Sequence, residues 1–285
     1  MSNASEFKAV FSDVKASDAF YKFLQVVFNL YPEDLFHHLL QASSNTLSSD
    51  EDIYKHVQSR LPSIKPFLSE LRYALPALQK QKKEMTRQTL EMLGNSKKLN
   101  GYVEIGSTGR YISHLRKQVD VTGPVYLIND YAPNNSLPEI MERGGFAKAG
   151  TFIDLNNYDP ITEQTIPSES IDIVTCFIGL HHAPVDKLED FVQSIHRILR
   201  QGGSFIIRDH DVRSSDMDLF CSLVHTVFNL GTNVSWQTNA LEYRRFQSID
   251  QWSDYVCSLG FKDCGHRILQ AHDPSANTLI KLEKL

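Results

Sequence analysis

Two stretches of this 285-residue chain hold side chains suited to moving a proton near neutral pH. One is "GLHHAP", with His181 and His182, and the other is "RDHDV", with Asp209, His210 and Asp211. Imidazole titrates close to neutrality, and a carboxylate behind it orients the ring and supports the charge it gains. Each stretch follows an apolar run, so both sets are expected at strand ends. Either His182 or His210 can then serve as a base, with Asp209 as its orienter. Three other carboxylates close or interrupt apolar runs: Glu104 in "VEIGSTGR", Asp130 in "YLINDYAP" and Asp154 in "GTFIDL". A carboxylate inside an apolar strand needs partners, so Glu104 either serves a ligand or caps the next helix. Asp154 opens "DLNNYDP", which also reads as an Asx-rich turn. The His and Asp spacings match no standard metal motif, so no metal ligand is assigned.

The elements that position these residues begin near Asn100. "GYVEIG" reads as a strand, and Gly106, Ser107, Thr108 and Gly109 as a turn into a helix running from Gly109 to about Gln118. "PVYLIND" is a second strand, followed by a helix over "SLPEIMERGG". "TFIDL" is a third. "SIDIVTCFI" is a fourth, apolar enough for a central parallel strand covered on both faces. Leu188, Phe191, Val192, Ile195, Ile198 and Leu199 then form one helical stripe that "QGG" ends. "SFIIRDH" is a fifth strand, and a helix with Leu219, Phe220, Leu223, Val224, Val227 and Phe228 follows it. "GTNVSWQTNALEYRRF" reads as an irregular insertion. Ser248 and Gln251 form a capping box for a helix closing at Gly260. The last two strands, "KDCGHRILQ" and "NTLIKLEKL", are joined only by "AHDPSA". A parallel crossover needs a dozen or more residues, so this pair must be antiparallel.

Residues 1–95 show no convincing strand. Helical spacing recurs at Phe20, Phe23, Leu24, Val27 and Phe28, and again at Leu35, Phe36, Leu39 and Leu40 after Pro32. Ser49 is a good helix start. A long helix is expected from about Ser63, kinked or broken at Pro76 and ended by Gly94 and Asn95. Four or five helices result. The basic run holding Lys80, Lys82, Lys83, Arg87, Lys97 and Lys98 reads as a solvated helix face.

The net charge of −5, with 41% hydrophobic residues, provides no field to recruit nucleic acid or an anionic membrane. No apolar run is long enough to span a bilayer, and the start "MSNASEF" is not a secretory leader. The four cysteines lack zinc or redox spacing and read as buried thiols in a reducing, cytoplasmic compartment.

Strand–helix units ending in an antiparallel hairpin, with "VEIGSTGR", "YLINDYAP", "GTFIDL", "SIDIVTCFIGLHHAP" and "IHRILRQGGSFIIRDH" in this order, resemble the class I S-adenosylmethionine-dependent methyltransferases. The match is to their small-molecule, type 11-like branch. The resemblance covers about residues 97–285. It implies an α/β fold: a Rossmann-like doubly wound sheet, mostly parallel, with an antiparallel C-terminal hairpin strand and an all-α N-terminal region before it. It further implies S-adenosyl-L-methionine as cofactor, bound by Glu104, Gly106, Ser107, Thr108, Gly109, Asp130, Asp154, Leu155 and Phe177. In that scheme Asp130 takes the ribose hydroxyls, Asp154 and Leu155 border the adenine, and Cys176, Phe177 and Ile178 line the methionine side. His182, His210 and Asp209 are the catalytic candidates, and a small-molecule methyl acceptor is the expected partner.

The first turn departs from the family's E-x-G-x-G-x-G. It also lacks the G-x-G-x-x-G that a dinucleotide pyrophosphate needs, which argues against a nicotinamide oxidoreductase. The expected division is residues 1–96 and 97–285, with a lid at 230–247 offering Trp236, Tyr243 and Arg244 to the acceptor. The alternatives are a methyltransferase of RNA or protein, or a non-catalytic cofactor-binding or scaffolding relative.

Overall fold

In the computed structural model the described residues are 5–65, 75–96, 98–134, 136, 139–140, 143, 145 and 149–285. The chain folds as two compact units. One comprises Met1–Gln79, His210–Phe246 and Gln270–Asn277; the other comprises Lys80–Asp209, Gln247–Leu269 and Thr278–Leu285.

The second unit is built on a seven-stranded sheet. Its strands are β1 (Lys98–Ile105), β2 (Asp120–Asn129), β3 (Thr151–Asp154), β4 (Ile171–Cys176), β5 (Leu199–His210), β6 (Phe261–Leu269) and β7 (Asn277–Lys284), in the order β3-β2-β1-β4-β5-β7-β6. The pairs β2/β3, β1/β2, β1/β4 and β4/β5 are parallel. The terminal hairpin β6/β7 is antiparallel, as its short link requires. The order reverses between β1 and β4. In such sheets a ligand crevice opens there, beyond the carboxyl ends of the strands.

Alternate side chains point to opposite faces of a strand, so the sheet has two apolar layers. Val103, Ile105, Val174, Phe205 and Ile207 share one layer with Leu188, Phe191, Ile195 and Trp252. Tyr102, Leu127, Ile173 and Ile206 share the other with Met85, Met92, Tyr111, Ile112 and Leu115. Each fully buried side chain of this size contributes about 1.5–3 kcal/mol.

Several elements differ from the sequence reading. The helix after β1 is a single turn, α6 (Ile112–Leu115), rather than one reaching Gln118. β3 and β4 are joined by turns, where Asn156, Asn157 and Tyr158 all take positive φ. Helix α7 (Val185–Ile198) stops before "QGG", because Leu199 is already extended and pairs with Ile171. Helix α10 (Ile249–Cys257) has the expected Ser248–Gln251 capping box. The helix expected over 136–145 falls largely outside the described residues.

Helix α5 (Leu75–Leu93) includes Pro76. Residues 66–74, the middle of the long helix expected from Ser63, also fall outside the described residues. The basic run is not uniformly solvated. Lys82 and Gln88 are buried, while Arg87 stays outside and bridges Glu84 and Glu91.

The first unit packs α1 (Glu6–Ser12), α2 (Val14–Phe23), a π-helical turn (Leu24–Phe28), α3 (Glu33–Thr46), α4 (Asp50–Ile64) and α8 (Ser215–Gly231). Phe7, Phe20, Phe23, Phe36, Tyr54, Leu223 and Val227 make its core. Ser49 caps α4 as expected, whereas Leu35 points to solvent. The insertion is not wholly irregular: Ser235 caps a short helix, α9 (Trp236–Leu241). Among the cysteines, Cys176 and Cys221 are buried, but Cys264 is exposed, in the irregular stretch of β6 between Asp263 and Arg267.

Candidate active site

The turn after β1 is organised by Glu104, which is fully buried. Its Oε1 accepts the Tyr111 amide at 3.1 Å and the Ser107 hydroxyl, and its Oε2 accepts the Ile112 amide at 2.8 Å and the Tyr102 hydroxyl at 3.1 Å. This carboxylate therefore caps the start of α6, supplying acceptors for amides that no helical carbonyl reaches. Burial, and then the Glu104 charge, raises the Tyr102 phenol well above its ordinary range. Ser107 Oγ in turn accepts the Gly109 and Arg110 amides at 3.2 and 3.0 Å.

Gly106 has φ +86°, and a Cβ there would lie 2.5–2.6 Å from the Ile178 side chain. The glycine thus makes room for Ile178, just past the end of β4. Thr108 is different. Its hydroxyl is buried and has no hydrogen-bond partner among the described residues.

Asp130 and Asp154 follow or end β2 and β3, and the pairing of Asn129 with Asp154 sets these carboxylates near each other. Asp130 is exposed, and no hydrogen bond reaches its carboxylate among the described residues. Desolvation at the strand end, and then the Asp154 charge, raises its carboxyl above the ordinary carboxylate range. Asp154 Oδ1 accepts the Asn156 amide at 2.9 Å, so the Asx turn is present while the carboxylate stays exposed. Leu155 is buried beside it, and its amide donates to Asn129 O at 3.0 Å. Phe177 stands edge-on to Tyr111, with ring centroids 4.9 Å apart. Cys176 is buried, and burial followed by the Asp209 charge pushes its thiol up to about 12.

The carboxylate at the end of β5 takes His181 rather than His182 or His210, the two candidate bases. Asp209 Oδ1 is 2.6 Å from His181 Nδ1, and its Oδ2 accepts the Leu180 amide at 2.8 Å. Gly179 lets them meet: at φ +84°, a Cβ there would run into His181 Nδ1 and lie 2.7 Å from Asp209 Oδ2. His182 is half-buried, with its ring centroid 4.2 Å from that of His181.

His210 belongs to the other unit. There its Nδ1 meets Ser275 O at 2.6 Å and its Nε2 meets His225 Nε2 at 3.2 Å. His225 was not singled out in the sequence, where nothing marks one histidine in an apolar helix. In the same unit Trp236 packs edge-on against Tyr54, whose phenol burial pushes up to about 12. Arg244 is committed to its own unit through Glu242, Asn239, Thr226 and the Ser222 carbonyl. Only Tyr243, of the three expected acceptor contacts, is exposed.

The donor set of the sheet unit suits an adenosyl ligand. It offers two adjacent exposed carboxylates for hydroxyl or amine donors, an apolar wall at Leu155, and a buried hydroxyl at Thr108 with bonding capacity left over.

Residues 103–207 match a sequence family described as "Methyltransferase domain". No curated protein sequence matches the chain. Among solved structures the chain is similar to the 1,6-didemethyltoxoflavin-N1-methyltransferase of Burkholderia thailandensis, bound to 1,6-didemethyltoxoflavin and S-adenosylhomocysteine. That similarity has 13% identity and a TM-score of 0.48, over 84% of this chain and 91% of that one. It is also similar to the magnesium protoporphyrin IX methyltransferase of Synechocystis PCC 6803 with bound S-adenosylhomocysteine. Here the identity is 12% and the TM-score 0.46, over 73% and 83% of the two chains.

Proposed function

We propose that the chain, whose residues 103–207 match the methyltransferase-domain family, is a class I S-adenosylmethionine-dependent methyltransferase that methylates a small-molecule acceptor. One observation carries the cofactor assignment: the Asp130 and Asp154 carboxylates stand at the ends of paired parallel strands, Asp130 accepting no hydrogen bond among the described residues, and the buried Thr108 hydroxyl in the turn after β1 has no partner there either. When bound, S-adenosylmethionine supplies a methyl group on a cationic sulfur, for in-line displacement that needs alignment more than covalent help.

Asp130 accepts from the ribose hydroxyls, Asp154 accepts from the adenine amine, and Leu155 walls the base. Thr108 donates to the methionine end. Glu104 acts through the turn, holding Ser107 and the start of α6 in place. Phe177 and Ile178 exclude water from the reacting end. His182 takes the acceptor's proton, with the His181–Asp209 pair fixed behind it. The net charge of −5 favours a small acceptor over nucleic acid.

The test incubates purified protein with methyl-labelled cofactor and a metabolite extract. Label should enter a low-molecular-weight product with wild type. Transfer should fall by about ten- to a hundred-fold with Asp130→Ala, the loss expected of a hydrogen bond to a charged group. Label appearing in protein or RNA instead, or transfer indifferent to Asp130, overturns the proposal.

A further inference from the structure

His210 and His225 face each other within the unit formed by Met1–Gln79, His210–Phe246 and Gln270–Asn277. His210 ends β5 and is buried, while His225 lies half-buried on α8. Their Nε2 atoms are 3.2 Å apart. His210 Nδ1 is 2.6 Å from the Ser275 carbonyl oxygen. A carbonyl can only accept, so Nδ1 carries the proton and the neutral ring turns its Nε2 lone pair toward His225. The carbonyl is itself held in place. Asp273 Oδ1 accepts the Ser275 amide at 2.8 Å and the Ser275 hydroxyl at 2.6 Å, and Asp273 Oδ2 accepts Asn277 Nδ2 at 2.7 Å. The Phe246 ring walls both imidazoles, with centroids 5.7 Å from His210 and 5.3 Å from His225.

We propose that His210 and His225 are two ligands of a divalent transition-metal ion. Two imidazole nitrogens about 2.0–2.1 Å from one tetrahedral ion lie roughly 3.3 Å apart, and this pair is already at that spacing. The other requirement is an orienting partner for the remaining ring N–H. Metal-bound histidines habitually give it to a carbonyl or carboxylate, and His210 does so through the braced Ser275 carbonyl. An all-imidazole pair selects zinc, nickel, copper or iron over magnesium and calcium. Without the ion, a proton between the two Nε2 atoms makes a plain N–H···N bond. Binding therefore moves that proton to His225 Nδ1, so that both Nε2 lone pairs face the ion while each ring stays neutral. The sequence hides this pair because its members sit on a strand end and mid-helix, with no motif spacing. The proposal stands independently of methyl transfer.

The test strips the full chain with a chelator and titrates it with zinc and nickel by calorimetry. One ion should bind per chain. His225→Gln and His210→Gln should each weaken binding at least about tenfold, with melting of the metal-free variants checked by circular dichroism. X-ray absorption of the loaded wild type should show at least two imidazole nitrogens at about 2.0–2.1 Å, a reading that needs no variant to fold. Failure to bind either ion, binding indifferent to both substitutions, or fewer than two imidazoles overturns the proposal and identifies a hydrogen-bonded histidine pair only.

Discussion

Asp209 and His181, 28 positions apart, are joined by a 2.6 Å contact that is buried on both sides. Removing one partner leaves the other buried with an unmet requirement. Asp209→Asn, which leaves one of the two buried donors without an acceptor, should therefore cost about 1–3 kcal/mol in urea unfolding. Gly179→Ala should destabilise the same turn, because its Cβ would occupy the space in which the pair meets. Unfolding midpoints equal to wild type for both would show that the pair is not held as described.

Asp130 gives a pH test with a definite sign. Its carboxyl is raised, so in the ligand-free fold the proton-bound form is favoured and its share of stability declines as pH rises. Hydroxyl donors prefer the ionised form. Affinity for S-adenosylhomocysteine should then climb as pH passes upward through the raised carboxyl range. Asp154→Asn removes one cause of the shift and should move that climb to lower pH. Calorimetric titrations at several pH values between about 4 and 8 read both effects.

Asp263 shows the opposite sign. The Arg267 guanidinium, bonded to it at 2.9 and 2.5 Å, holds its carboxyl well below the usual carboxylate range, helped by Ser253 and the Gly265 amide. Its stabilising share is complete above the unfolded value, about pH 4, and is lost as pH falls toward the folded one. Asp263→Asn should cost about 1–2 kcal/mol at pH 7, since the pair is partly exposed. The difference from wild type should close on acidification in parallel denaturant melts.

The thiols should react in an order set by burial. Cys176, buried and pushed up to about 12, and buried Cys221 should resist iodoacetamide until the chain is denatured. Exposed Cys264 should label first, and faster at alkaline pH because burial and nearby carboxylates raise its thiol. Mass spectrometry of native and denatured samples reads the order.

Much of this architecture is local information. Apolar runs marked the strands, the short link "AHDPSA" required an antiparallel hairpin, and Ser49 and Ser248 announced their helices. The acidic strand ends at Asp130 and Asp154 were legible for the same reason: a strand's end and its side-chain parity are written within a few residues. Which partner each side chain meets was not. Asp209 meets His181, Gly106 yields its space to Ile178, Lys82 goes inside, Arg244 joins a network of its own unit, and His210 finds His225. Those contacts depend on strand register and on which helix face packs where. Such distances arise only after distant segments close on one another, and no spacing along the chain records them.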